Sequence, residues 1–160
     1  MRSALITGID GQDGSYLADL LLNQGYRLTG IVRKSPERVG TPAGVGALSK
    51  DIEVIESDLS GGSSLEVLLS RVQPREVYNL AARASSKQLW SDPLATGKLN
   101  ALSVVELLEA IRLTDRGIRF LQASSSEMFG NATVTPQNES TPIQPRNPYG
   151  VAKAFAHWMT

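Results

Sequence analysis

The sequence predicts an α/β fold, a doubly wound parallel sheet with helices on both faces. Two observations lead there. Short apolar runs alternate with amphipathic stretches from Ala4 to Ala123, and a glycine-rich turn, GIDGQDG, joins the first run to the first amphipathic stretch. Strands that alternate with helices pair in parallel and bury both faces of their sheet.

Ala4 to Thr7 is a short apolar run that ends at the glycine turn, and it reads as a buried strand. Gly14 to Gln24 follows as a helix, with Leu17, Leu20 and Leu21 on one face and Gly25 as its terminator. Tyr26 to Val32 returns to strand character. Lys34 to Lys50 is rich in Gly, Pro and Ser and reads as a long loop. Ile52 to Glu56 is the third strand. Ser64 to Val72 is a short amphipathic helix with Leu65, Leu68 and Leu69 inward, and Val77 to Ala81 is the fourth strand.

Leu94 to Arg112 reads as one long helix, with Leu99, Leu102, Val105 and Leu108 near helical spacing. Ile118 to Ala123 is the fifth strand. A loop from Thr133, carrying Pro136, Pro142, Pro145 and Pro148, leads into a last helix. Asn147 is its expected N-cap, with Pro148 in its first turn. Right-handed crossovers between such strands give a Rossmann-like sheet.

The chain has 160 residues, enough for one domain and one core. The 16 basic and 16 acidic residues cancel, so bulk charge favours neither nucleic acid nor a membrane surface as a partner. With no cysteine and 1 histidine, a disulfide framework, a thiolate site and a multi-histidine metal site are all excluded, and no metal is expected. No apolar stretch approaches the ~20 residues that span a bilayer. The run after Met1 is too short for the apolar core of a signal peptide. The expected location is cytoplasmic, which leaves the Asn131-Ala132-Thr133 sequon unglycosylated.

Gly8, Gly11 and Gly14 form G-x-x-G-x-x-G between the first strand and the first helix. Glycine lets the backbone turn sharply and approach a pyrophosphate with no Cβ in the way. The helix then turns free N–H groups and a partial positive charge toward the anion. Gly8, Gly11, Gln12, Asp13 and Gly14 are thus the expected cradle of a dinucleotide. An NAD enzyme of this fold usually has an acidic residue at the end of the second strand, on the ribose 2′-hydroxyl. Here Arg33 and Lys34 stand there, a pair suited to a 2′-phosphate, so NADP is the expected cofactor. Asp58 and Leu59 after the third strand are placed to hold the adenine. Leu80, Ala81 and Ala82 after the fourth strand line the cofactor.

Tyr149 and Lys153 lie four residues apart on the last helix and share a face. An ammonium beside a phenol stabilises the phenolate, which makes it a usable base. Ser125 falls at the carboxyl end of the fifth strand, where open α/β sheets bind ligands, and its hydroxyl can bridge a substrate oxygen and Tyr149. Glu127 follows two residues on. Lone examples of each have ordinary structural explanations, and Glu127 alone would be a solvated loop carboxylate. Together after one strand they read as a catalytic set. His157 carries little weight, and no G-x-S-x-G elbow makes a hydrolase nucleophile of Ser124 to Ser126.

On these residues a resemblance rests. GIDGQDGSYLADLLLNQGY closely resembles the opening of the GDP-mannose 4,6-dehydratases, extended short-chain dehydrogenases that usually show G-I-T-G-Q-D-G-S-Y-L. ASSSEMFG resembles their A-S-T-S-E-L-Y-G, and TPIQPRNPYGVAKAFAHW their T-P-F-x-P-R-S-P-Y-A-V-A-K-x-x-A-x-W. The likeness runs over essentially the whole chain. Asp10 stands where the pattern has Thr, and Arg83-Ala84-Ser85 where it has Gln-Ser-aromatic or Gln-Ser-His.

The resemblance implies a lyase that converts GDP-mannose to GDP-4-keto-6-deoxymannose, with internal hydride transfer from C4 to C6 through NADP. It implies that Tyr149 and Lys153 form the redox pair, that Glu127 is the base at C5, and that Ser125 takes the place of the family's threonine hydroxyl. It also implies a homo-oligomer, with Lys34 to Lys50 between subunits. Decarboxylases, epimerases and reductases of the same superfamily remain alternatives, as does a non-catalytic nucleotide-binding fragment. The last helix runs to Thr160 with no terminating Gly, Asn or Pro. The expectation is an incomplete NADP-binding domain over 1–160, followed in a longer protein by further strands and a substrate domain, and inactive by itself.

Overall fold

The computed structural model describes residues 1–33, 49–59, 62–84, 90 and 92–160. Lys34 and most of the segment expected to be a long loop lie outside the described residues. The chain divides into two units, Met1–Ala81 with Glu106–Ala123, and Ala82–Val105 with Ser124–Thr160.

The first unit is built on a sheet of β1 (Ser3–Thr7), β2 (Arg27–Val32), β3 (Glu53–Glu56), β4 (Glu76–Asn79) and β5 (Arg119–Gln122). Its order is β3-β2-β1-β4-β5 and every pairing is parallel. In register, Thr7 lies beside Ile31 on one side and beside Asn79 on the other, and Asn79 lies beside Gln122. Central strands of a parallel sheet are covered on both faces, which is why all of β1 is buried. The edge strands β3 and β5 hold only partly buried and exposed positions, in alternation along β5.

Strand alternation divides the core in two. Leu5, Ile31 and Val77 point to one face, where they meet Leu65, Leu68, Leu69 and Val72 of α2 (Gly62–Val72) and Leu107, Ala110 and Ile111 of α4 (Ser103–Thr114). Ala4, Ile6, Leu28 and Val32 point to the other, against Ala18 and Leu21 of α1 (Gln12–Asn23). The inward residues of α2 are the ones its spacing predicts.

Two helix faces differ from expectation. In α1 the buried residues are Gly14, Ala18 and Leu21, while Leu20 is 54% exposed. The helix lies on its small residues because Gly14 packs directly on the backbone of the preceding turn. The expected long helix is three pieces: α3 (Pro93–Gly97), a π-helical turn (Lys98–Leu102) and α4. The extra residue of a π turn rotates the helix face. Leu102 is therefore 53% exposed, and Thr96, Asn100 and Ser103 are buried instead. Each of these polar side chains satisfies a backbone group. Thr96 Oγ1 donates to the Asp92 carbonyl at 2.8 Å and Ser103 Oγ to the Leu99 carbonyl. Asn100 bonds both the N–H and the carbonyl of Arg83, at 2.9 and 3.1 Å.

In the second unit, Ser126–Met128 form a single 3₁₀ turn after β5, and α5 spans Pro148–Met159. Asn147 caps α5 as the sequence predicts, accepting a hydrogen bond from the Gly150 N–H at 2.8 Å.

Candidate active site

The glycine turn sits at the carboxyl end of β1, where the strand order reverses between β2 and β4. Gly8 has φ +66°, a conformation that glycine adopts without strain. Its N–H donates to the Ile31 carbonyl at 2.9 Å, and its own carbonyl accepts from Gly11 N–H at 3.0 Å. A Cβ on Gly8 would stand 2.9 Å from Ala81 Cα, and one on Gly14 would run into the Gly8 carbonyl oxygen and stand 2.7 Å from Ile9 Cα. Ile9 itself is fully buried. Gly11 is the N-cap of α1 and has no side chain to satisfy the first amides of the helix. Gln12 and Asp13, in that first turn, are exposed. The turn thus brings side-chain-free backbone up to the first amides of α1, which no side chain caps, and it fits the pyrophosphate of a dinucleotide.

The other described cofactor candidates lie after the strands. Arg33 is exposed directly after β2 and Asp58 is exposed after β3. The Leu59 side chain is in the core with Leu65 and Leu69, so only its backbone is available to a ligand. Leu80 and Ala81 are half-buried after β4, and Ala82 is exposed at the start of the second unit.

Below this edge lies a polar chain that the sequence reading missed. Thr7 Oγ1 donates to Asn79 Oδ1 at 2.5 Å, and Asn79 Nδ2 donates to Gln122 Oε1 at 2.7 Å. Thr7 Oγ1 also accepts the Ala81 N–H at 3.0 Å, which ties the backbone facing Gly8 to β1. Thr7 and Asn79 are almost fully buried. The available signal was a polar residue within or at the end of each of three strand-like runs.

The second unit carries the expected catalytic residues. Ser125 precedes the 3₁₀ turn, and its Oγ accepts the Glu127 N–H at 3.2 Å. The Glu127 side chain is exposed, and its Oε2 accepts from Asn147 Nδ2 at 2.6 Å. Tyr149 and Lys153 are both buried in α5, and Lys153 Nζ is 5.9 Å from the centre of the Tyr149 ring. Burial pushes the Lys153 ammonium down from 10.5 to about 8, so it remains mostly charged at neutral pH. Turn and helix pack together within this unit. Gly150 makes room for it, because a Cβ there would meet the Glu127 carbonyl oxygen. His157 is exposed. Among the described residues no cluster of His, Cys, Asp and Glu is placed to hold a metal ion. Among the described residues no helix is long and apolar enough to cross a membrane.

Residues 5–160 match the family pattern described as GDP-mannose 4,6 dehydratase. The chain belongs to that family. It is 42% identical to GDP-mannose 4,6 dehydratase 2 of Caenorhabditis elegans, over 99% of this chain and 44% of that protein. It is 43% identical to the GDP-mannose 4,6-dehydratase of Vibrio cholerae serotype O1, again over 99% of this chain and 44% of that protein. The chain therefore spans less than half the length of these relatives. Among solved structures it resembles UDP-glucose 4-epimerase from Brucella ovis in complex with NAD, with a TM-score of 0.85 at 28% identity, covering 99% of this chain and 46% of that one. The UDP-Glc/GlcNAc 4-epimerase of Campylobacter jejuni, at a TM-score of 0.86 and 22% identity, covers 99% of this chain and 47% of that one and shares the fold.

Proposed function

We propose that this chain supplies the cofactor cradle and the proton-handling residues of an NADP-dependent GDP-mannose 4,6-dehydratase. The observation that carries the reading is the packing of the Glu127 turn against the first turn of the helix that bears Tyr149 and Lys153. A dehydratase needs one base for a hydroxyl and another for a carbon acid, and this arrangement offers both.

Gly8, Gly11, Gln12, Asp13 and Gly14 would hold the pyrophosphate, and Leu80, Ala81 and Ala82 would line the nicotinamide side. Asp58 and the Leu59 backbone would face the adenine, with Arg33 and Lys34 on a 2′-phosphate. The chemistry the cofactor supplies when bound is reversible acceptance of hydride. Tyr149 takes the proton of the sugar 4-hydroxyl, with the Lys153 ammonium stabilising the phenolate and Ser125 orienting the oxygen. Once C4 is a ketone, the C5–H bond is acidic, and Glu127 takes that proton. The C5–H electron pair becomes the C5–C6 double bond as the 6-hydroxyl departs, and the proton on Glu127 leaves with it as water.

The test is Glu127→Gln in the full-length gene product with GDP-mannose. Loss of a general base costs roughly 10²–10⁴-fold. Formation of the 6-deoxy product should fall by that factor, while a single turnover still generates NADPH absorbance. Normal turnover would return Glu127 to a solvated loop carboxylate. The likeness to an NAD-bound 4-epimerase favours a second reading, a nucleotide-sugar epimerase, which needs no base at C5. On that reading the parent protein itself forms no 6-deoxy product from GDP-mannose and yields the C4 epimer instead.

Cofactor choice is tested separately. Arg33→Ala should weaken NADP binding by about 10–100-fold relative to NAD, the worth of one charge-assisted phosphate contact. Calorimetric titration of both cofactors checks it, and an unchanged ratio would reject the assignment of Arg33.

A further inference from the structure

Glu127 is exposed, and an exposed glutamate samples many rotamers. Its backbone is held at both sides, by Ser125 Oγ on its N–H and by the close approach of Gly150 to its carbonyl. Its carboxylate is held by Asn147, whose Nδ2 donates to Oε2 at 2.6 Å. The same amide accepts the Gly150 N–H through Oδ1 at 2.8 Å. Chemistry dictates this orientation. The helix N–H needs an acceptor and a carboxylate needs a donor, and a primary amide offers one of each on a single rigid plane. An aspartate at 147 would cap the helix equally well but would set oxygen against oxygen at Glu127.

We propose that Asn147 is a positioning residue for the base. It fixes the Glu127 carboxylate through Oε2 at a set distance from the first turn of α5, leaving Oε1 to take the C5 proton. Because Asn147 also caps α5, one side chain sets the spacing between the base at C5 and the helix that handles the 4-hydroxyl. The proposal rests on the reading of Glu127 as the C5 base.

Asn147→Asp in the full-length gene product separates the two roles, because the cap is retained and the clamp is lost. Two signals are followed with GDP-mannose in D₂O: NADPH absorbance in a single turnover, and deuterium entering C5. The first should stay within about threefold of the parent protein. The second should fall about 10–100-fold, the worth of a hydrogen bond to a charged group expressed as a rate. An equal loss of both signals, or no loss of either, overturns the proposal, because Asn147 would then serve the helix alone. Glu127→Gln is run alongside. If it exchanges C5 at the parent rate, the reading of Glu127 as the base falls and the proposal with it. If it abolishes exchange while Asn147→Asp leaves exchange intact, the proposal alone falls.

Discussion

The glycine turn after β1 is shaped by what its residues lack, whereas the turn and helix bearing Glu127, Tyr149 and Lys153 are shaped, Gly150 apart, by what theirs carry. At the first, Gly8 and Gly14 face backbone atoms at distances that exclude a Cβ. At the second, Asn147, Ser125 and Lys153 contribute specific donors, acceptors and charge. The difference predicts how each region fails. Adding one methyl group should break the first by collision, with little regard to its polarity. The second should tolerate isosteric changes in shape and lose only the chemistry of the atom exchanged.

Gly14→Ala is the strongest way to break that comparison. The new methyl would overlap the Gly8 carbonyl, and backbone cannot rotate aside as a side chain can. Overpacking against backbone costs about 3 kcal/mol. Chemical denaturation should show that loss, together with loss of dinucleotide binding. Unchanged stability would mean that the turn adapts and is not specified by sterics.

Asn79→Leu asks whether the carboxyl edge of the sheet also depends on functional groups. The replacement is close in size but leaves Thr7 and Gln122 without their shared partner. Stranding buried polar groups costs about 2 kcal/mol, measurable in the same denaturation experiment. A neutral result would reduce that edge to packing alone.

Lys153 sharpens the comparison from the other side. Its folded pKa, about 8, lies below the ordinary 10.5 because burial disfavours the charge. Between these values the unfolded chain binds more protons, so stability rises with pH across that window. Below about pH 8 the cost of burying the charge is fully present. From pH 8 to 9.5 the protein should gain about 1.5 kcal/mol relative to Lys153→Met. Urea denaturation of both proteins at each pH checks this, and parallel curves would show that Lys153 is not buried as a charge.

Much of the fold was legible because burial leaves its mark on local composition. The run Ala4 to Thr7 reads as a buried strand, and Leu65, Leu68 and Leu69 read as the inner face of α2, since each pattern reports the environment of its own element. Legibility failed where polar residues turned inward. Asn100 and Ser103 are buried because backbone groups nearby accept or donate to them, and no apolar periodicity announces that. Leu20 fails for a related reason, since the small residues Gly14 and Ala18 let α1 lie closer than leucines would. At the site, Asn147 is readable as an N-cap from its neighbour Pro148. Its bond to Glu127, twenty residues earlier, is not.

By itself the sequence determined the alternation of strands and helices, the glycine turn, the cap of α5 and the chemical identities of Ser125, Glu127, Tyr149 and Lys153. These follow from backbone sterics and from groups close together in the chain. Only the tertiary structure decided that Thr7, Asn79 and Gln122 form one hydrogen-bonded line, that a π turn rotates the helix after α3, and that Glu127 is held by Asn147. Hydrogen bonds between distant residues depend on strand register and helix approach, which are set by burial summed over many side chains and not by any short stretch of sequence.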